Sequence, residues 1–171
     1  MAQVHRYQSH VVWRGSTAAG PAHYDRTHQA VAPPAKQELR LSADPAFRGD
    51  PTLLNPEQLL LAAASSCQLL SFLALAARAG VDVVAYQDDA DALMPEDERP
   101  ARITQVVLRP QILVAAGADL DRVHRLVTEA HDSCCIANSL TAKIVLEPSV
   151  EHVTETVPDV QPAGRTPRSV S

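Results

Sequence analysis

Cys67 and Cys134 are the residues of this 171-residue chain best placed to do chemistry. A cysteine acts as its thiolate, and at a reference pKa of about 8.5 only roughly 3% of a free thiol is ionised at pH 7. Cys67 sits in the middle of residues 55–80 (NPEQLLLAAASSCQLLSFLALAARAG), surrounded by Ala64, Ser66, Leu70 and Ser71. Apolar surroundings push a thiol's pKa up unless a cation lies beside it. A reactive Cys67 therefore calls for an arginine. Arg48, in the segment feeding the same stretch, is the first candidate and Arg40 the second. Glu57 could hold that guanidinium through a bidentate pair. Together these make a nucleophilic thiolate, an orienting cation and a carboxylate that fixes the cation. Cys134 falls at an expected helix boundary just after His131, and at a helix N-terminus the dipole favours the thiolate.

Blander readings compete. A lone cysteine in an Ala/Leu helix is usually a small core residue. Arg48 in a loop is usually solvated, Glu57 is usually a helix-start charge, and His131 at a helix end is usually a surface residue. His131, Cys134 and Cys135 together with Cys67 would suit zinc, but adjacent cysteines point apart and no CxxC is present, so no metal is expected. No GxSxG elbow supports a serine hydrolase.

Composition narrows the class. Apolar residues make up 46% and the formal charge is -5, so no basic surplus exists to meet nucleic acid or an anionic membrane. MAQVHRYQSH lacks an apolar h-region, and a cytoplasmic location is expected, with the three cysteines reduced at rest. The run from 59 to 77 holds no charge and is just long enough to span a bilayer. Its Ala and Ser content and Gln68 favour a buried core or dimer helix instead.

The elements that must carry these residues follow from pattern and punctuation. Asn55 is a good N-cap, Pro56 suits the first helical position, Glu57 suits the dipole, and Arg78 and Gly80 form a C-terminal signature. Being apolar all round, this helix is predicted to be buried. Ahead of it, strands are predicted at 4–13, 22–32 and 37–42, then a Pro/Gly/Asp-rich loop at 44–54 carrying Arg48. After it come strands at 81–93 and 103–115, the latter with Pro110 at a bulge or edge. An amphipathic helix at 120–131 is capped near Asp119, a short helix covers 134–140 and a strand covers 143–150. The class is α+β, a single domain over 1–152 with a polar, Pro-rich and disordered tail over 153–171.

Three stretches resemble the OsmC/Ohr family (osmotically inducible protein C / organic hydroperoxide resistance). They are NPEQL followed by AASSC at 63–67, CCIANSL at 134–140, and SADPAFRGD at 42–50. The resemblance covers about residues 4–150. It implies antiparallel sheets wrapped around a long buried central helix in an intertwined homodimer, with active sites at the subunit interface. It also implies a peroxidatic Cys67, a resolving Cys134, and an arginine, Arg48 by position, oriented by Glu57. The implied activity is thiol-dependent reduction of alkyl or lipid hydroperoxides in oxidative-stress defence. It needs no bound cofactor but does need an external dithiol, such as a lipoylated protein or thioredoxin. A non-enzymatic member binding a small apolar ligand in the dimer cleft is the alternative. Cys135 stands where the family usually has proline or an aromatic, which leaves open which thiol resolves.

Overall fold

A computed structural model describes residues 3–153 of the chain. The stretch expected to be a tail lies, from residue 154 onward, outside the described residues. The long helix, α1, spans Pro56–Arg78. Its N-terminus is a capping box. The Asn55 side chain accepts from Gln58 N at 2.8 Å, and the Gln58 side chain accepts from Asn55 N at 3.0 Å. At the far end Gly80 takes a positive φ of 69°, which lets Gly80 N and Val81 N bond back to Ala77 O and Ala76 O. This is a Schellman closure that a residue with a Cβ would resist.

Within a single copy of the chain, α1 is buried on one face. Ala64, Gln68, Phe72 and Ala76, four residues apart, are buried along one stripe. Ala63, Ser66, Leu70, Leu73 and Ala77 lie exposed along another, with Leu70 at 64%. Hydrophobicity on every side thus reflects a helix with two apolar faces, only one of which the described residues cover.

Strands β1 (His10–Val12), β2 (His28–Val31) and β3 (Glu38–Leu41) form an antiparallel meander ahead of α1. The predicted strand at 22–32 begins only at His28, leaving Tyr24 in the preceding turn. Between β3 and α1 lies a 3-10 turn, Pro45–Phe47. Asp44 organises it, accepting from Ala46 N at 2.8 Å and, with its other oxygen, from Asn55 Nδ2 at 3.2 Å. The turn is thereby tied to the α1 cap.

Each of the three long strands expected after α1 is two strands. They are β4 (Val83–Asp88) with β5 (Asp91–Leu93), β6 (Gln105–Leu108) with β7 (Pro110–Val114), and β8 (Lys143–Leu146) with β9 (Ser149–His152). One half of each joins a sheet ordered β4-β7-β9 and the other a sheet ordered β5-β6-β8. Arg109 sits at the crease. Its backbone N–H reaches Asp88 Oδ1 at 2.7 Å, and its guanidinium bonds Glu147 Oε2 at 2.8 Å and Asp91. Pro110 lies neither on an edge nor at a bulge: β7 is the central strand of its sheet, and Pro110 stands at its first residue opposite Asp88, where a strand tolerates proline. The sheets are mixed rather than antiparallel, since β6 pairs β8 and β7 pairs β9 in parallel. The second helix, α2 (Leu120–Asp132), capped by Asp119, supplies the connection that lets the chain return parallel. Phe72 and Ala76 of α1 pack with Val123, Leu126, Val127 and Ala130 of α2 and with Ile112, Val114 and Val150 of the sheet.

Candidate active site

Cys67 and Cys134 are brought together from residues far apart in sequence. α1 carries Cys67 half-buried at its middle, while Cys134 follows the last turn of α2 and is fully buried. The turn after α2 is held tightly. Cys134 N bonds His131 O at 3.1 Å, Asn138 Nδ2 bonds Asp132 O and Cys134 O at 2.9 and 3.0 Å, and Ala137 N approaches Cys134 Sγ at 3.5 Å. The short helix expected over 134–140 is a 3-10 turn at Ala137–Ser139.

The electrostatics invert the sequence reasoning. Burial works to raise the Cys67 pKa, but the Cys134 thiol, Ile136 N–H, the Ser71 hydroxyl and Cys135 N–H face its sulfur and together hold it below the ordinary thiol value. Hydrogen bonds to the charged form of an acid favour that form. Cys134 moves the other way: burial and its bond to Cys67 raise it. The mid-helix thiol is thus the one tuned toward thiolate, and the helix-end thiol stays protonated as its donor. The leading causes of this lowering are neutral groups. Neutral donors supplied by the turn after α2 do what a cation was expected to do.

Arg48 caps the 3-10 turn with φ 64°, is exposed, and makes no ion pair with Glu57 among the described residues. Next to it, a Cβ on Gly49 would lie 1.6 Å from Ala43 O, so only glycine lets the loop close. Arg40 is exposed on β3. Glu57 lies ten residues before Cys67 on α1, about 15 Å along the axis. It borders a cavity of about 560 Å³ together with Trp13, Tyr24, Arg26, His28 and Phe47. Its Oε2 is buried and has no hydrogen-bond partner. Cys135 is exposed, and His131 Nδ1 is buried without a partner. Among the described residues no group of His, Cys, Asp and Glu could hold a metal.

Comparison with known proteins adds the family. Residues 49–149, more than half of the chain, match the family model for OsmC-like proteins. The chain belongs to the OsmC-like family. Solved OsmC-like structures share the fold. One is an OsmC-like protein of unknown function from Vibrio cholerae, 27% identical, with TM-score 0.76, covering 85% of this chain and all of its own. Another is an organic hydroperoxide resistance protein from Elizabethkingia anophelis with thiocyanate bound, 17% identical, TM-score 0.65, covering 90% and 100%. The uncharacterized protein YmaD of Bacillus subtilis is 24% identical over 96 residues, 54% of this chain and 64% of its own length. This chain thus matches just under two thirds of the length of that curated relative.

Within this OsmC-like fold the arginine that borders the Glu57 cavity is Arg26, which sequence reasoning missed. Its guanidinium lies 4.1 Å from the Tyr24 ring centroid and donates to Pro21 O at 2.7 Å and Tyr24 O at 3.0 Å. Trp13 braces Tyr24 edge-on at 6.1 Å and bonds Asp25 O at 2.7 Å. The available signal was the run Tyr24-Asp25-Arg26-Thr27-His28, polar and aromatic where a plain strand was expected.

Proposed function

We propose that this OsmC-like protein is a thiol peroxidase that reduces organic hydroperoxides to alcohols in the cytoplasm. The Cys67 thiolate attacks the terminal peroxide oxygen, the O–O bond breaks, and the departing alkoxide takes a proton as alcohol. Cys67 is left as a sulfenic acid. The Cys134 sulfur then attacks the Cys67 sulfur, water leaves, and a disulfide remains. An external dithiol, such as a lipoylated protein or thioredoxin, supplies the two electrons that reset the pair, and no bound cofactor is needed. The single observation that carries this reading is the meeting of two thiols, Cys67 of α1 and Cys134 of the turn after α2, with Cys67 held below and Cys134 above the ordinary thiol value.

A second copy of the chain completes the reading. The exposed apolar stripe of α1 offers a face that the same stripe on another copy would cover. Antiparallel packing of two such helices that cross near Ala62 would set one copy's Glu57, on the cavity it shares with Arg26, level with the other's Cys67. Arg26 then takes the role that position alone assigned to Arg48: steadying the departing oxygen, with Glu57 fixing the guanidinium.

Intact-mass spectrometry with thiol counting, before and after one equivalent of cumene hydroperoxide, tests the chemistry. Loss of two thiols with a Cys67–Cys134 linked peptide is the expected result. A Cys67–Cys135 link would reassign the resolving thiol. Three thiols still free would sink the peroxidase reading. The aromatic cavity, which holds no cysteine, favours a ligand-binding protein as the second reading. Equal peroxide turnover by wild type and Cys67→Ser would move that reading to first place.

A further inference from the structure

We infer that Gln68 is a positioning residue, which locks α1 against α2 so that the Cys67 and Cys134 sulfurs stay aligned for disulfide closure. The inference rests on the assignment of Cys67 and Cys134 as the reacting pair.

Gln68 follows Cys67 directly and points the other way, into the core, where it is 1% exposed. Its Nε2 donates to Val127 O at 3.0 Å, a side-chain bond to a carbonyl inside the α2 ladder, and Val127 is itself 1% exposed. The rest of the α1–α2 contact is apolar: Phe72 and Ala76 against Val123, Leu126, Val127 and Ala130. Apolar contacts are non-directional and leave helices free to slide and rotate by fractions of an ångström. A hydrogen bond has a length and an angle, and so fixes axial register and rotation together. This one is made one residue from Cys67 on α1 and two turns before Cys134, along the rigid rod of α2. The disulfide step needs the Cys134 sulfur on the far side of the Cys67 sulfur from its departing oxygen, so small errors in register matter.

A second observation argues against a packing role. The Oε1 of Gln68 is buried and unpartnered. The side chain therefore leaves one polar atom unsatisfied in the core to make one bond, and an apolar isostere would carry no such penalty. A residue kept only for stability would not be a glutamine here. Turning the amide over does not help, because its oxygen would then face the Val127 carbonyl.

Gln68→Met keeps length and approximate volume and removes the bond, and Gln68→Leu serves as a second variant should methionine pack poorly. The first readout needs no peroxide. The pH dependence of Cys67 alkylation by iodoacetamide, followed by peptide mass spectrometry, reports whether the Cys134 thiol still donates to the Cys67 sulfur. In wild type the inflection lies below the ordinary thiol value. In Gln68→Met it moves up, at an unchanged or higher melting temperature. In a Cys134→Ala background the same substitution causes no further movement. The second readout is the lifetime of the Cys67 sulfenic acid, trapped with dimedone after one equivalent of cumene hydroperoxide. Closure slows by roughly ten- to a hundred-fold, and sulfinic acid accumulates. An alkylation profile unchanged by both variants overturns the inference. So does an equal shift with Cys134 absent, or a lowered melting temperature with wild-type closure, which leaves Gln68 a packing residue. A wild-type protein that does not react with peroxide would instead count against the peroxidase reading, while the alkylation profiles still judge Gln68.

Discussion

The thiol corner and the aromatic cavity differ in how far one chain satisfies them. At the thiol corner Cys67 has neutral partners at hand: Cys134, Ser71 and the backbone of Cys135 and Ile136. In the cavity Glu57 has a buried oxygen with no partner, and Arg26 rests on two carbonyls and a ring, with no carboxylate partner among the described residues. One region is closed, the other holds charges without counterparts. The sulfur has partners on the turn after α2, while a buried carboxylate oxygen in the cavity has none. The apolar stripe of α1 between the two regions is what a second copy would cover.

The sharpest way to break this contrast is at the sulfur. Cys67→Ser should lower hydroperoxide turnover by about 10³-fold or more, since the oxygen of serine cannot be oxidised by peroxide in its place. Cys134→Ser should keep one fast turnover and then stall at the sulfenic acid. Turnover in Cys67→Ser within a few-fold of wild type would show that the closed region is merely packed. Next in size is the core that holds the corner together. Phe72→Ala should cost about 3–5 kcal/mol in urea unfolding, because the ring is fully buried between α1 and the sheet. A cost under about 1 kcal/mol would mean that α1 is held from its other face instead.

Glu57→Gln probes the open region. It removes the buried charge without changing shape, so the melting temperature should hold or rise, while turnover falls roughly 10- to 100-fold. Arg26→Lys should lower turnover more than Arg48→Ala, because a lysine cannot form the planar fork. Both effects should appear in steady-state rates of wild type and variants at equal thiol content. A larger loss from Arg48→Ala would return the role to the loop arginine.

Much of this arrangement was legible in the sequence, and the exceptions have physical causes. The ends of α1 were readable because Asn55, Pro56 and Gly80 each act locally. The pairing of Cys67 with Cys134 was not readable from periodicity and came only through resemblance, because a sulfur in α1 meets a turn nearly seventy residues later. The source of the Cys67 shift, though not its direction, was missed because backbone N–H groups leave no mark in a sequence, whereas arginines do. The crease at Arg109 was hidden inside a run of good strand formers, where one residue of changed pairing is enough to pass the chain to the next sheet. The exposed stripe of α1 was hidden because burial by this chain and burial by a second copy select the same apolar residues.

The same contrast between satisfied and unsatisfied groups recurs on β4. Asp88 is fully engaged, taking Ser65 Oγ at 2.5 Å and Arg109 N at 2.7 Å. Two residues away, the Tyr86 hydroxyl is buried with no partner, its ring 6.0 Å from that of Phe72. Burial pushes the Tyr86 phenol well above its ordinary value, and the negative charge of Asp88 adds to the effect. Tyr86→Phe loses no hydrogen bond, so near neutral pH it should be neutral or stabilising by about 1 kcal/mol. Alkaline pH should widen the gap. Above about pH 10 the unfolded chain releases the phenol proton while the folded chain keeps it. The folded state then binds more protons, and wild-type stability falls by up to about 1.4 kcal/mol per pH unit from this group. Phenylalanine removes that term, so urea unfolding at pH 8 and pH 10.5 should show the variant pulling ahead at the higher value. A constant difference would mean that the hydroxyl ionises as easily in the folded chain, and that the β4 face beside Phe72 is open to water.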